Sequence, residues 1–130
     1  MATGDSAAPQ KDKTGRWGEE EAEHYLAAEG YAILERNWRM GRLELDIVAQ
    51  KGGIIAFVEV KTRRSMETDP SLAVDKRKRA RMITAADTYL KRYQLPFDYR
   101  FDIISISGTP ESYTIEHLPD AFMPALRSLR

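Results

Sequence analysis

The residues best suited to catalysis lie in one segment, ELDIVAQKGGIIAFVEVK, which spans residues 44–61. Two apolar runs flank Gly52-Gly53, and four charged residues stand near the ends of the segment: Glu44, Asp46, Glu59 and Lys61. A Gly-Gly pair between such runs predicts a tight hairpin in which both glycines adopt positive φ. The segment is therefore expected to form two antiparallel strands that carry charges at their open end.

The register of this hairpin determines where the charges lie. With the two glycines as the loop, Asp46 lies opposite Glu59. Two residues further out, Glu44 lies opposite Lys61. Directly opposed residues share a face of the sheet, so all four charged side chains are expected on one face. The other face collects apolar residues that are predicted to be core: Leu43, Leu45, Ile47, Ala49, Ile54, Ala56, Val58 and Val60.

Two opposed carboxylates on a half-buried sheet repel one another, and burial adds to the cost. Lys61 and a nearby Arg could offset this cost, one carboxylate could hold a proton, or a divalent cation could lie between them. Mg²⁺ prefers oxygen ligands and is typically held by one or two carboxylates, here Asp46 and Glu59. Lys61 would then orient an attacking water or stabilise charge on a phosphate. The structural alternative is a Glu44–Lys61 ion pair beside a solvated Asp46.

The elements around the hairpin must position these residues. Periodicity predicts helices over residues 17–29 and 72–93, and strands over 31–38, 95–106 and 112–118. Acidic residues fall in the first turn of the first predicted helix, where the helix dipole favours them. The order helix, strand, strand, strand, helix, strand, strand predicts an α/β (α+β) fold with a mixed central β-sheet flanked by helices.

Length and composition favour one small domain. The 130 residues are expected to form a flexible tail over 1–14 and a single domain over 15–130. The absence of Cys excludes disulfides, Cys-based metal sites and a thiol nucleophile. His24 and His117 lie in different elements without metal-ligand spacing, and Asp102 is predicted to face solvent. No stretch is apolar enough for a signal peptide or membrane span, so a cytoplasmic protein without a membrane partner is expected.

Basic residues are concentrated in one third of the chain. The whole chain has 20 basic and 20 acidic residues, but residues 61–92 hold ten basic and four acidic ones. The run KRKRAR at residues 76–81 is distributed around most of a helix circumference and is either solvated surface or a phosphate-binding face. Contiguity with Lys61 favours phosphate binding. The candidate nucleic-acid-binding residues are Arg63, Arg64, Lys76, Lys78 and Arg79.

Several motifs together resemble a known family. Asp46 followed by Glu59-Val60-Lys61 is similar to the D…(D/E)xK signature of the restriction-endonuclease-like nuclease superfamily. Five segments carry a closer resemblance: GEEEAEHYLAAEGYAILERNWR, LELDIVA, FVEVKTR, AVDKRKRAR and RFDIISI. They resemble the YraN family of small bacterial endonuclease-like proteins, which are similar to archaeal Holliday-junction resolvases. The resemblance extends from about Gly15 to about Leu118.

The resemblance implies a restriction-endonuclease-like core and a Mg²⁺- or Mn²⁺-dependent endonuclease acting on DNA, including branched DNA such as Holliday junctions. It implies that Asp46, Glu59 and the Val60 carbonyl hold the metal, that Lys61 assists the water and that Glu19 completes the site. Glu19 is alternatively an ordinary first-turn acid. A homodimer would supply two sites for two cuts.

The chain departs from the family pattern at two positions. Leu43 replaces a Gly before the first acid of the strand, and Leu45 replaces the superfamily's frequent Pro before Asp46. Asp46 itself is retained, so the departures concern the local backbone. The other functions considered are a catalytically inactive nucleic-acid-binding module with the same fold and a scaffold whose hairpin charges form ordinary ion pairs.

Overall fold

Five strands form one mixed sheet in the order β1-β2-β3-β4-β5. The computed structural model describes residues 13–64 and 76–122. Its strands are β1 (Ala32–Met40), β2 (Leu43–Lys51), β3 (Ile54–Arg63), β4 (Asp98–Thr109) and β5 (Ser112–Phe122). Neighbouring strands are antiparallel except β3 and β4, which run parallel. Parallel neighbours need a crossover, and a helix lies in this connection. The predicted α+β fold and order of elements are confirmed.

Two helices flank this sheet. Helix α1 (Lys13–Ala28) begins four residues before the predicted start, and α2 (Lys76–Tyr93) forms the crossover. Because α1 begins early, no acid lies in its first turn, so the prediction of first-turn acids is wrong. Residues 1–12 of the predicted tail, and residues 72–75 of the second predicted helix, lie outside the described residues. Neither helix is long and apolar enough to cross a membrane.

Each helix buries one face of the sheet. On the α1 face, Ala22 and Leu26 pack against strand residues Ile47, Ala49, Ala56, Val58, Val60, Ile104 and Ile106. On the α2 face, Met82, Ala85, Ala86 and Tyr89 pack against residues that include Val48, Ile55, Phe57, Phe101 and Ile103. Because both faces are covered, the central strands carry apolar residues at nearly every position. Ile54, which was predicted to be core, is exposed at the start of β3.

The hairpin turn fixes the register of β2 and β3. Lys51 pairs with Ile54, and the pairs continue in the predicted register to Ile47 and Val58. Gly52 has φ of 61°, but Gly53 is not among the residues with positive φ, so the expectation of positive φ at both is wrong. Positive φ at the first loop position alone is the requirement of a type II′ turn, which joins antiparallel strands in the same register.

Candidate active site

The two strands of the hairpin stop pairing where the acidic residues begin. The last backbone pair is Ile47 with Val58, so the expected ladder pair between Asp46 and Glu59 does not form. The Val60 N–H instead donates a 3.1 Å hydrogen bond to the Asp46 carboxylate. Since a side-chain oxygen satisfies a main-chain donor of β3, the Asp46 carboxylate lies at the point where the strands separate.

The alternation of side chains along β2 also changes at this point. Leu45 packs in the core on the α2 face, whereas Ile47 packs in the core on the α1 face. Regular alternation would place Leu45 and Ile47 on the same face, as was predicted. The predicted face is therefore wrong for Leu45. It is also wrong for Leu43, which packs on the α2 face as well. On β1, the other neighbour of β2, Asn37 has φ of 52°, so β1 and β2 are both irregular near Asp46.

Glu59 is a deeply buried carboxylate beside a lysine of α2. It is 3% exposed, and its Oε2 lies 2.5 Å from the Lys78 Nζ. Burial and the nearby Asp46 charge raise the pKa of Glu59 to about 7, although Lys78 and Lys61 oppose the rise. Asp46 is 4% exposed. Two neighbouring buried carboxylates thus compete for positive charge, as their charges and burial led us to expect.

Lys78 of α2 supplies positive charge to both of these acids. Burial alone would lower the pKa of Lys78, but the charges of Glu59, Asp46 and Glu44 raise it above its usual value. The side chain was predicted to contact nucleic-acid phosphates, whereas in this structure it pairs with Glu59. Its position on α2, far from the hairpin in sequence, gave no signal of this contact.

The other two charges of the hairpin do not pair with each other. Glu44 lies 3.3 Å from the Arg39 guanidinium on the neighbouring strand, which excludes the predicted alternative of a Glu44–Lys61 pair beside a solvated Asp46. Lys61 is half-buried, and its charge stabilises the ionised form of Glu59. Lys61 therefore acts on the same carboxylate as Lys78.

Helix α1 approaches the end of β3 at Gly18, the residue before Glu19. A Cβ atom on Gly18 would lie 2.1 Å from the Thr62 Oγ1, so only Gly permits this approach of the helix backbone to the residue after Lys61. Glu19 is 7% exposed and lies beyond the first turn, which excludes its assignment as a dipole-complementing acid. Among the described residues, no three or more His, Asp or Glu side chains form a common metal-binding group.

A buried hydroxyl lies beside Lys61 on β4. Ser105 pairs with Lys61 across the parallel strands, and alternation from Ile103 places its side chain on the α2 face with Glu59. Its Oγ is buried without a hydrogen-bond partner in the structure as described. An unsatisfied buried hydroxyl is unusual in a folded protein. Ser105 was not identified from the sequence, where it reads as an ordinary strand residue.

The donor set fits a hard divalent cation. Asp46 and Glu59 provide carboxylate oxygens, the ligand type that Mg²⁺ and Mn²⁺ favour, and one or two carboxylates are typical of Mg²⁺ sites. The Lys78 ammonium against Glu59 shows that positive charge is stable at this position.

A model of the uncharacterised protein family UPF0102 matches residues 18–106. The chain belongs to this family. A UPF0102 protein of Bacteroides fragilis is 47% identical over 115 residues, which cover 86% of this chain and 93% of the relative. UPF0102 proteins of Chlorobaculum parvum and Roseiflexus castenholzii are 44% and 40% identical over 119 residues, covering 85% and 86% of this chain and 92% and 94% of the relatives.

UPF0102 membership confirms the family resemblance drawn from the motifs, and the nuclease-like superfamily is consistent with it. None of these three names states an activity. The UPF0102 match begins at Gly18, which approaches Thr62, and it contains Asp46, Glu59 and Lys78. The site described above therefore lies within the part of the chain that defines the family.

The remaining basic candidates have varied surroundings. Arg63 is half-buried, whereas Arg64 and Lys76 are exposed. The Arg79 guanidinium lies over the Phe122 ring, 5.4 Å from its centroid, and so forms a cation–π contact with β5. These side chains flank the two ends of the segment 65–75, which lies outside the described residues.

A further buried carboxylate, Asp102, lies on the face of the sheet opposite to Glu59. Asp102 is fully buried, so its predicted exposure is wrong. Arg100 binds both of its oxygens at 2.9 and 3.1 Å, the His117 Nε2 lies 2.8 Å from Oδ2, and the Asp120 N–H donates to Oδ1 at 3.0 Å. Asp120 has φ of 55° within a β5 bulge. The alternation of β4 could have predicted this burial, because Asp102 shares its face with Ile104 and Ile106, which are core.

Proposed function

We propose that this protein is a Mg²⁺- or Mn²⁺-dependent endonuclease that hydrolyses phosphodiester bonds in DNA. The observation that carries the proposal is the pair of buried carboxylates, Asp46 and Glu59, at the end of the β2–β3 ladder with Lys61 acting on Glu59. Acids whose environment raises their pKa cluster at functional sites. The motif resemblance supplies the reaction class, and UPF0102 membership is compatible with it.

Each side chain has a distinct task in this proposal. Asp46 and Glu59, with the Val60 main-chain carbonyl, would hold the metal. When bound, the metal would polarise a phosphoryl oxygen and lower the pKa of a water molecule. Lys61 would orient the attacking water and stabilise negative charge that develops on the phosphate. Glu19, carried to the end of β3 by α1, would support the metal's surroundings through bound water.

DNA is the proposed substrate because basic residues adjoin the site in sequence on both sides of the segment 65–75. Arg63 ends β3 and Arg64 follows it, and Lys76 and Arg79 lie in the first turn of α2. Each phosphate that such residues neutralise adds salt-dependent affinity without sequence preference. The resolvase-like motifs extend the proposal to branched DNA, for which a homodimer would supply two active sites.

The test is cleavage of linear, flapped and four-way-junction DNA by the purified protein with Mg²⁺ or Mn²⁺. We expect metal-dependent cleavage, and we expect D46N and E59Q each to lose more than the roughly 10- to 100-fold that removal of an outer-shell partner costs. E116Q, which alters an exposed carboxylate on β5, is the matched control and should cleave at the parental rate. Parental activity in D46N would contradict the proposal.

The second candidate is a nucleic-acid-binding module without catalysis. The contact between Lys78 and Glu59 favours it, because an internal ammonium already compensates part of the charge that a metal would neutralise. This function predicts salt-dependent binding to the same DNAs without cleavage under any divalent metal. Binding that is unchanged in D46N, together with no cleavage by the parent, would support the module.

A further inference from the structure

Lys78 links the acidic site at Asp46 and Glu59 to the basic surface at the start of α2. Its Nζ lies against Glu59, but its backbone lies in the first turn of α2 beside Lys76, Arg77 and Arg79. The side chain is 37% exposed, whereas that of Glu59 is 4% exposed. The lysine therefore reaches from the basic helix surface into a largely buried acidic site.

Lys78 and a divalent cation would compete for the same negative charge. The Lys78 charge interacts with Glu59 and Asp46, the two acids proposed to hold the metal. Lys61 also acts on Glu59, so with the Lys78 ammonium and a divalent ion both present, four positive charges would face two carboxylates. At distances of a few ångströms in a partly buried site, this excess is strongly unfavourable. Binding of either cation should therefore weaken binding of the other.

The Lys78 side chain can leave without a change of fold. A lysine has a flexible stem and a compact ammonium, and its partial exposure leaves a path to water. Once released, the ammonium would join the exposed Lys76 and Arg77 on the surface of α2. A nucleic-acid phosphate at that surface would provide a new anionic partner for it.

We propose that Lys78 is a displaceable internal counter-ion that couples divalent-metal binding at Asp46 and Glu59 to phosphate binding on α2. Metal binding releases the ammonium for a phosphate, and phosphate binding draws the ammonium from the carboxylates. By linkage, each ligand increases the affinity for the other by the same factor. This inference rests on the proposed metal site, and it adds a regulatory role for a residue outside the D…ExK motif.

The first test compares Mn²⁺ affinity in the full chain and two glutamine variants by titration calorimetry. We expect K78Q to bind Mn²⁺ at least about tenfold more tightly than the parent, because the competing charge is gone. K91Q, which alters an exposed lysine at the other end of α2, should bind like the parent. Equal affinity of K78Q and the parent, with binding still lost in D46N, would overturn the inference but leave the metal site intact.

A second measurement uses the parent protein and does not depend on the folding of a variant. Mn²⁺ should increase the rate at which an acetylating reagent labels Lys78, measured by mass spectrometry, while the rate at Lys76 stays constant. An unchanged Lys78 rate at saturating Mn²⁺ would overturn the inference. Absence of any Mn²⁺ binding, together with absence of DNA cleavage, would overturn both the inference and the proposed nuclease function.

The coupling to phosphate is tested with a duplex whose phosphorothioate backbone resists cleavage. After correction for Mn²⁺ bound by the duplex itself, we expect the duplex to tighten Mn²⁺ binding to the parent at least about threefold more than it tightens Mn²⁺ binding to K78Q. An equal effect on both proteins would show that the coupling does not depend on Lys78 and would contradict this part of the proposal.

Discussion

Asp102 and Glu59 are buried carboxylates on opposite faces of one sheet, and their surroundings differ. Asp102 receives a bidentate Arg100, a His117 nitrogen and a main-chain N–H. Burial would raise the pKa of Asp102, but these hydrogen bonds and the Arg100 charge outweigh it and lower the pKa below its usual value. Glu59 pairs with a partly exposed Lys78 and lies near the like charge of Asp46, so its pKa rises to about 7.

This difference in hydrogen bonding indicates a structural role for Asp102 and a functional role for Glu59. The hydrogen bonds of Asp102 join β4 to β5 and, through Arg100 and His117, to Tyr31 and Tyr25 near the end of α1. A buried charge whose hydrogen bonds are complete stabilises one arrangement of the chain. At the Glu59 site two neighbouring carboxylates are instead met by the mobile ammonium groups of Lys78 and Lys61, which a cation from solution could replace. Burial alone would not have distinguished these two carboxylates.

The largest expected effect is the removal of the Asp102 carboxylate. D102A leaves the Arg100 guanidinium and the Asp120 N–H without their partner, and breaking a buried ion pair in this way typically costs about 3–5 kcal/mol. The free energy of unfolding should therefore fall by about that amount in urea denaturation. D98A, which alters an exposed Asp at the start of the same strand, is the control and should retain parental stability. A loss below about 1 kcal/mol in D102A would contradict the structural role of the network.

A smaller effect is expected when Glu59 loses its charge, and it should depend on pH. The folded pKa of about 7 exceeds the ordinary value of 4.5, so between these pH values the folded state binds more protons than the unfolded state. The contribution of Glu59 to stability therefore falls as pH rises through this window. In E59Q that decline should disappear, so that near pH 8 the variant is at least as stable as the parent.

E44Q is the control for this pH dependence, and Asp102 should show the opposite dependence. E44Q, which alters the partner of Arg39, should follow the parental curve between pH 5 and 8. For Asp102 the sign is opposite, because its lowered pKa gives stability that is present above its ordinary value of 3.8 and is lost as pH falls through the folded pKa. A difference between the parent and E59Q that is constant from pH 5 to 8 would refute the raised pKa.

The hairpin shows what local sequence predicts well. Gly52-Gly53 sets a two-residue turn, and the turn alone determines the register as far as Ile47 and Val58. The point where pairing ends could not be predicted, because it depends on the hydrogen bond from Val60 to the Asp46 side chain. That bond replaces a regular ladder contact, and alternation rules assume that the ladder continues.

Long-range contacts account for the other differences. Lys78 was recognised as basic, but its contact with Glu59 depends on how α2 packs across β3, which periodicity does not specify. Asp102 was assigned to solvent from alternation with Phe101 and Ile103, whose side chains face α2. That rule holds for a sheet with one wet face, whereas β4 lies between β3 and β5 with helices on both sides.

The smallest expected effect concerns Ser105, which extends the comparison to a neutral group. A buried hydroxyl without a partner costs about 1–3 kcal/mol, so S105A should leave the free energy of unfolding unchanged or raise it by up to about 1 kcal/mol. If the hydroxyl serves a ligand beside Lys61, the same variant should cleave DNA more slowly despite its stability. S112A, at an exposed position on β5, should change neither quantity. A clear loss of stability in S105A would mean that the hydroxyl is satisfied within the fold, as Asp102 is.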